Sequence, residues 1–316
     1  KGLGADPSNI SRDGMRTTMI AIDEMSANSL ICDCGPKLAE IMQDKFSDEP
    51  IRLLDTRMES AMLALDSLGA IIMLIDPETG KPYYYNTETG ETFWDAPPGF
   101  EEAYAAVMAM ADAAGKQEAD NIPVVSEELL KGLLKALQTH ALSSDMAEAI
   151  ANTLATLGLN GKNLKAIVDN GGIEAIIAAI RANPNNRNLL LILLTLLERI
   201  SRQDQYKERI AVAGGIDVVL NIAMALHIDH EQITLKSLSI LANLALNHDK
   251  NIDRIMEGGG VTHIEAAMNQ YETVPRPLEN SMCALSNLMH GSDDNKLIIG
   301  KTCGDEIVRI VARHYE

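Results

Sequence analysis

The chain has 316 residues, 46% of them apolar but only 3% aromatic, so Leu, Ile, Ala, Val and Met must build the core. Leu, Ala and Met are good helix formers, and this composition predicts an all-α protein. The formal charge is −18, from 45 acidic and 27 basic side chains. This charge argues against nucleic-acid binding, which needs a basic face, and favours neutral or basic partners unless it serves only solubility.

The four cysteines, Cys32, Cys34, Cys283 and Cys303, do not form a disulfide framework for a chain of this length. Cys32 and Cys34 are also too close together for the usual two-residue metal knuckle. No apolar run approaches the ~18 residues of a membrane span. We therefore expect reduced thiols in a cytoplasmic protein that binds neither a membrane nor a cofactor.

The first element in chain order is residues 30–43 (LICDCGPKLAEIMQ), where apolar residues at helical spacing flank Gly35. The same pattern recurs more clearly after residue 125. We therefore predict degenerate helical repeats over residues 1–70.

Residues 76–98 (DPETGKPYYYNTETGETFWDAPP) contain the only tryptophan and a run of three tyrosines. Alternating side chains around TETG predict two strands joined by a hairpin turn. The segment resembles the second and third strands of a WW domain at seven spaced positions: Tyr83, Tyr84, Asn86, Thr89, Thr92, Trp94 and Pro97. We expect this β-insert over residues 71–99.

WW domains bind a proline-rich segment in an aromatic groove. The resemblance implies that Tyr83 and Trp94 form the groove walls, with Thr92 nearby. This sequence departs from the family pattern at two positions. The first tryptophan of the family would fall near Ile72, and Thr87 stands where the family has a histidine that faces the ligand. Two interpretations remain, a working groove or an aromatic clamp packed on the helices.

Four later segments, residues 164–180, 207–223, 252–268 and 296–312, repeat one junction. The glycines Gly171, Gly214 and Gly259 are 43 and 45 residues apart, and Cys303 follows 44 residues later. Each unit predicts a short helix that ends at the junction, a second helix, a polar corner and a longer third helix, because glycine tolerates the left-handed backbone of a sharp turn.

A period of ~40–47 residues is typical of armadillo and HEAT arrays. The chain resembles the armadillo-repeat family through these junctions and through the third-helix segments LANLA (241–245) and LSNLM (285–289). The implied fold is an all-α, right-handed superhelical solenoid with a small antiparallel WW-like insert. The main array is expected over residues 100–316.

In armadillo proteins that bind extended peptides, a third-helix asparagine bonds the partner's backbone, because an amide is both a donor and an acceptor. The resemblance assigns this role on the concave face to Asn243 and Asn287. Thr156 and Glu198 lie at the matching positions of the two preceding repeats, and Glu198 favours a basic partner. The alternative is that both asparagines only hold adjacent helix ends.

No catalytic or metal-binding pattern stands out. His227 and His230 lie three residues apart at a predicted corner without a third ligand, and GSDDNK lacks the spaced ligands of a calcium loop. We find no Ser-His-Asp or Cys-His arrangement, so we predict that the protein is not an enzyme and holds no metal.

Together these features predict a scaffold or adaptor that binds other proteins, through proline-rich or basic segments, within a larger complex. One alternative is a structural part of a cytoskeletal assembly such as a ciliary axoneme. Another is a transport receptor or a myosin-type chaperone. Ser239 and Cys283 replace the tryptophans that import receptors carry one turn before the asparagine, which argues against binding of nuclear-localisation signals.

Overall fold

The computed structural model describes residues 49–116 and 122–315. The chain divides into two compact units, Lys1–Arg52 and Leu53–Glu316, and nearly all described residues belong to the second. The junction predicted around Gly35 lies outside the described residues.

The described elements are mostly helices, with one small sheet near the start. In chain order they are α1 (Glu49–Leu68), β1 (Ile71–Ile75), β2 (Pro82–Asn86), β3 (Thr92–Phe93), α2 (Phe100–Gly115), α3 (Glu127–Thr139), α4 (Ser144–Leu157), α5 (Gly161–Asp169), α6 (Gly172–Ala182), α7 (Arg187–Ser201), α8 (Asp204–Val212), α9 (Gly215–His227), α10 (Glu231–Ala245), α11 (Asp249–Glu257), α12 (Gly260–Gln270), α13 (Pro275–Met289) and α14 (Asp293–Tyr315). Within α9, Val218–Met224 is a π-helical segment.

Three successive units have the predicted three helices: α5–α7, α8–α10 and α11–α13. At each junction the glycine that immediately precedes the second helix is left-handed, with φ of 90° at Gly171, 94° at Gly214 and 77° at Gly259. The next glycine is needed for space, since a Cβ on Gly172 would lie 2.6 Å from the carbonyl oxygen of Ile167. The glycine pair therefore breaks the helix and lets its two halves pack closely. The all-α solenoid is confirmed.

The fourth predicted junction is wrong, because α14 runs unbroken through Cys303 and Gly304. Cys303 occupies the position that the left-handed glycine holds in the other units. A Cβ disfavours the left-handed conformation by roughly 1–2 kcal/mol, so the helix continues. The Cys303 side chain is fully buried instead.

The core is formed mainly by helices that stack from one unit to the next. The third helices α4, α7, α10 and α13 pack in that order, and α2 packs against α4. Leu193 and Leu197 of α7 are fully buried, and each contributes about 1.5–3 kcal/mol relative to exposure. Asn186 caps the start of α7 by accepting a 3.1 Å hydrogen bond from the Leu189 N–H. The third helices therefore form a regular series. We call the exposed side of this series the third-helix surface.

The sheet lies between α1 and α2 in the chain and has the antiparallel order β1-β2-β3. Met73 pairs with Tyr84, and Tyr84 pairs with Phe93. Tyr84 is buried, and its ring meets the edge of Phe100 with centroids 4.7 Å apart. A sheet this small is marginal alone, so docking of this face on the helices stabilises it.

Candidate functional site

The three residues predicted for a WW-like groove lie on the sheet face opposite Tyr84, because side chains alternate along a strand. Thr92 pairs with Tyr85 across the β2–β3 ladder. The rings of Tyr83 and Trp94 have centroids 5.9 Å apart and are tilted by 50°. Trp94 is 63% exposed, and Tyr83 is half-buried. We call this group, Tyr83, Thr92 and Trp94, the aromatic face.

A tight hairpin turn sets the geometry of the aromatic face. The Asn86 side-chain oxygen accepts hydrogen bonds from the N–H groups of Glu88 at 2.9 Å and Thr89 at 3.1 Å. Gly90 follows with φ of 75°. Asparagine and glycine favour such a turn, because one mimics a backbone acceptor and the other tolerates positive φ. The turn fixes the register that brings Tyr83 close to Trp94.

The two departures from the WW pattern have structural consequences. Ile72 lies near the expected position of the first tryptophan. It is fully buried and pairs with Tyr85 across the β1–β2 ladder. Thr87 donates from both its N–H and its hydroxyl to the Ala70 carbonyl, at 2.9 and 3.1 Å. Thr87 therefore secures the end of the sheet. Tyr84 is the aromatic that packs on the helices, whereas Trp94 is not buried as a clamp.

The four residues predicted for the concave face lie on four successive third helices: Thr156 on α4, Glu198 on α7, Asn243 on α10 and Asn287 on α13. The Asn243 amide donates to the Ser201 hydroxyl at 3.0 Å. The Asn287 amide donates to the Ala242 carbonyl at 2.9 Å. Both asparagines are half-buried and make a bond to the preceding unit, and binding of a partner by either one stays a prediction.

Glu198 was expected to favour a basic partner, but two cations of this chain already bind both of its carboxylate oxygens. Lys236 donates to Oε2 at 2.7 Å and Arg202 to Oε1 at 2.9 Å. Burial alone would raise the pKa of the carboxyl, but these two cations outweigh it and hold the pKa below its usual value. The sequence offered one signal for this, since Arg202 lies four residues after Glu198 on one helix face.

The two histidines of the HIDH corner have structural partners. His227 is buried, with Nε2 2.6 Å from the Pro184 carbonyl oxygen and Nδ1 accepting from Arg187 Nε at 3.3 Å. His230 caps α10 by accepting from the Ile233 N–H at 3.4 Å. Among the described residues, no three His, Cys, Asp or Glu side chains are grouped to hold a metal ion. Within the same ranges, no single helix is long and apolar enough to cross a membrane, although the bent pair α8–α9 meets that criterion jointly.

Both the sheet and the helical array are similar to known proteins. The WW domain family model matches residues 72–97. Armadillo repeat-containing protein 6 of Pongo abelii is 25% identical over 259 residues, which is 75% of this chain and 51% of that protein. The Homo sapiens protein of the same name is 28% identical over 141 residues, 42% of this chain and 28% of that protein. The chain thus spans about half, or less, of the curated relatives that it matches.

Among solved structures, an engineered protein of the Northeast Structural Genomics Consortium covers 66% of this chain with a TM-score of 0.55. The match covers 82% of that protein at 23% identity, and it supports the shared fold only. With the glycine junctions and the stacked third helices, these similarities lead to one conclusion. The chain is a helical repeat array that is similar to armadillo-repeat proteins, with a sheet similar to a WW domain inserted between two of its helices.

Proposed function

We propose that this chain is a non-catalytic scaffold that binds proline-rich segments of partner proteins on the aromatic face. Armadillo repeats and WW domains are protein-interaction modules, which is the general support for a scaffold. The observation that carries the specific proposal is the exposed pair Tyr83 and Trp94, 5.9 Å apart. A large exposed aromatic on a docked, rigid sheet is the feature expected of a binding surface.

The chemistry of the aromatic face fits a proline ring. Two tilted aromatic rings with centroids 5.9 Å apart offer apolar surfaces on which a proline ring can pack, and a proline-rich segment loses little conformational freedom on binding. Docking of Tyr84 on Phe100 holds the sheet in place before a ligand arrives. This preorganisation lowers the entropic cost of binding.

A second surface is proposed on the third helices around Asn243 and Asn287. Each amide has one hydrogen bond to the preceding unit, at 3.0 and 2.9 Å, and this bond fixes its orientation. A side-chain amide held in this way offers its remaining donor and acceptor capacity to an extended peptide backbone. The two asparagines lie on neighbouring third helices, which suits a segment that runs across the units.

The experiment is a titration of the intact chain with a panel of proline-rich dodecapeptides, followed by the emission of Trp94, the only tryptophan. We expect a saturable change that Trp94→Phe abolishes and that Tyr83→Ala weakens about tenfold or more. Phe93→Ala is the matched control, because it removes an aromatic ring from the opposite face of the same sheet, where Phe93 pairs with Tyr84. If no peptide changes the emission, or if Phe93→Ala weakens binding as much as Tyr83→Ala, the proposal is wrong.

No observation favours the alternatives of a cytoskeletal structural part, a transport receptor or a chaperone. The cytoplasmic location and the absence of catalysis stay predictions. A stable complex that forms without turnover of the bound peptide is the behaviour expected of a scaffold.

A further inference from the structure

Two cations bind one carboxylate on the third-helix surface, and a third cation lies near them. Glu198 is 7% exposed and accepts hydrogen bonds from Arg202 and Lys236. Arg199, the next residue of α7, lies beside them and donates to the Ala155 carbonyl of α4 at 2.9 Å. We call Arg199, Arg202 and Lys236 the cationic cluster. With Glu198 included, the group carries three positive charges and one negative charge.

The cationic cluster carries two more positive charges than Glu198 can balance. Lys236 and Arg202 are the cations that bind Glu198 directly. Burial lowers the pKa of the Arg199 guanidinium, and the charge of Arg202 lowers it further, against the opposing effect of Glu198. Two guanidinium groups therefore repel each other in a chain whose formal charge is −18. An incoming anion would relieve that repulsion.

Two members of the cationic cluster are accessible from outside the array, and Arg199 is half-buried. The Arg202 side chain is 64% exposed and that of Lys236 is 28% exposed, whereas that of Glu198 is only 10% exposed. A partner would therefore meet the cations before the carboxylate. Guanidinium groups also match a carboxylate in shape, because they donate two parallel hydrogen bonds.

The cluster adjoins an asparagine that is suited to bind a peptide backbone. Asn243 donates to the hydroxyl of Ser201, which lies between Arg199 and Arg202 in the chain. One segment can then bind Asn243 through its backbone and the cations through an acidic side chain. We propose that the third-helix surface at α7 and α10 binds an acidic polypeptide segment, rather than the basic segment that Glu198 alone would suggest. This inference rests on the proposed binding of polypeptides by the third helices.

The test is fluorescence anisotropy of the intact chain with three labelled dodecapeptides of repeating Glu-Ser, Gln-Ser and Lys-Ser, at low and at high salt. We expect the Glu-Ser peptide to bind most tightly, despite the acidic chain, and to weaken as salt screens the charges. The double variant Arg199→Gln with Arg202→Gln should lose about fivefold in affinity for it. Lys162→Gln with Lys301→Gln is the control, because it removes the same two charges from exposed helix positions elsewhere.

Glu198→Gln is expected to increase affinity, and unfolding would decrease it instead. Loss of the internal counter-charge should release Lys236 and Arg202 and strengthen binding of the Glu-Ser peptide. Equal binding of the Glu-Ser and Gln-Ser peptides, or tighter binding of Lys-Ser, overturns the acidic-segment inference alone. If none of the three peptides binds, polypeptide binding by the third helices is overturned as well. Binding by the aromatic face is read separately from Trp94.

Discussion

The side-chain amide of Asn251 donates a 3.3 Å hydrogen bond to the main-chain carbonyl of Lys207, the matching residue of the preceding unit. The same amide donates to the Leu244 carbonyl at 3.2 Å, near the end of α10. Asn163 and Asn295, spaced by multiples of the same 44 residues, donate likewise to the carbonyls of Leu157 and Leu288. A buried asparagine on the first helix therefore ties three of the units to the preceding third helix.

Asn251→Ala should destabilise the array, because it leaves two buried carbonyl groups without this donor. We expect a loss of about 1–3 kcal/mol, seen as a lower midpoint in urea denaturation. Asn152→Ala, at an exposed position of α4, is the control and should leave the midpoint nearly unchanged. Equal midpoints for Asn251→Ala and the wild type would show that the buried amide does not hold the units together.

Alanine at two glycines should shift stability in opposite directions. Gly171 has φ of 90°, and a Cβ there would meet only Glu174 Oε2 at 4.0 Å, so Gly171→Ala costs roughly 1–2 kcal/mol through backbone strain. Gly304 lies within the unbroken α14 with nothing near a new Cβ, so Gly304→Ala should stabilise by about 0.5–1 kcal/mol. Thermal unfolding of both variants checks this. A destabilising Gly304→Ala would mean that the helix breaks at Cys303 after all.

His140 should make the fold sensitive to mild acid. It is buried, its Nδ1 has no hydrogen-bond partner, and burial lowers its pKa to about 4. The unfolded chain binds a proton near pH 6.5, so stability is lost as pH falls from about 6.5 towards 4, by up to about 3 kcal/mol. We expect the thermal midpoint of His140→Gln to vary less over pH 7 to 5 than that of the wild type.

The control for His140 is His290→Gln, because His290 is exposed at the end of α13. This variant should retain the pH dependence of the wild type. If His140→Gln also retains it fully, another group is responsible for the loss of stability in mild acid.

Trp94 should be accessible to solvent in the free protein, because its side chain is 63% exposed. We predict efficient quenching of its emission by acrylamide and reduced quenching after a proline-rich peptide binds. Tyr83→Ala should leave Trp94 accessible in the free protein but remove the protection by peptide. Blue-shifted emission that resists acrylamide without peptide would contradict the geometry of the aromatic face.

The sequence was sufficient for the features that depend on local chemistry. The pairs at Gly171, Gly214 and Gly259 predicted three helix breaks, because only glycine accepts both the positive φ and the close backbone contact there. The turn residues around Asn86 and Gly90 predicted the β2–β3 hairpin for the same kind of reason. Cys303 lies at the spacing of the glycine junctions but is not a glycine. Its Cβ disfavours the left-handed conformation, so α14 continues where a helix break was predicted.

The sequence did not predict the contacts that depend on how neighbouring elements align in space. Glu198 looked free to meet a basic partner, yet Lys236 binds it from the next third helix, 38 residues later. The burial of Tyr84 rather than Trp94 depends on which face of the sheet docks on Phe100, and alternation along a strand does not choose between its two faces. Asn163, Asn251 and Asn295 are 88 and 44 residues apart, a spacing in the sequence that predicts equivalent positions and that the glycine pattern alone does not include.

Hydrogen–deuterium exchange of the intact chain, with and without a proline-rich peptide that changes Trp94 emission, tests the scaffold most directly. We predict slower amide exchange across Pro82–Asn86 and the adjoining residues up to Trp94, with exchange in α10 and α13 unchanged. The protection should disappear in Tyr83→Ala. Unchanged exchange throughout the sheet, or protection confined to the helices, would contradict the claim that the aromatic face is where this chain binds proline-rich segments.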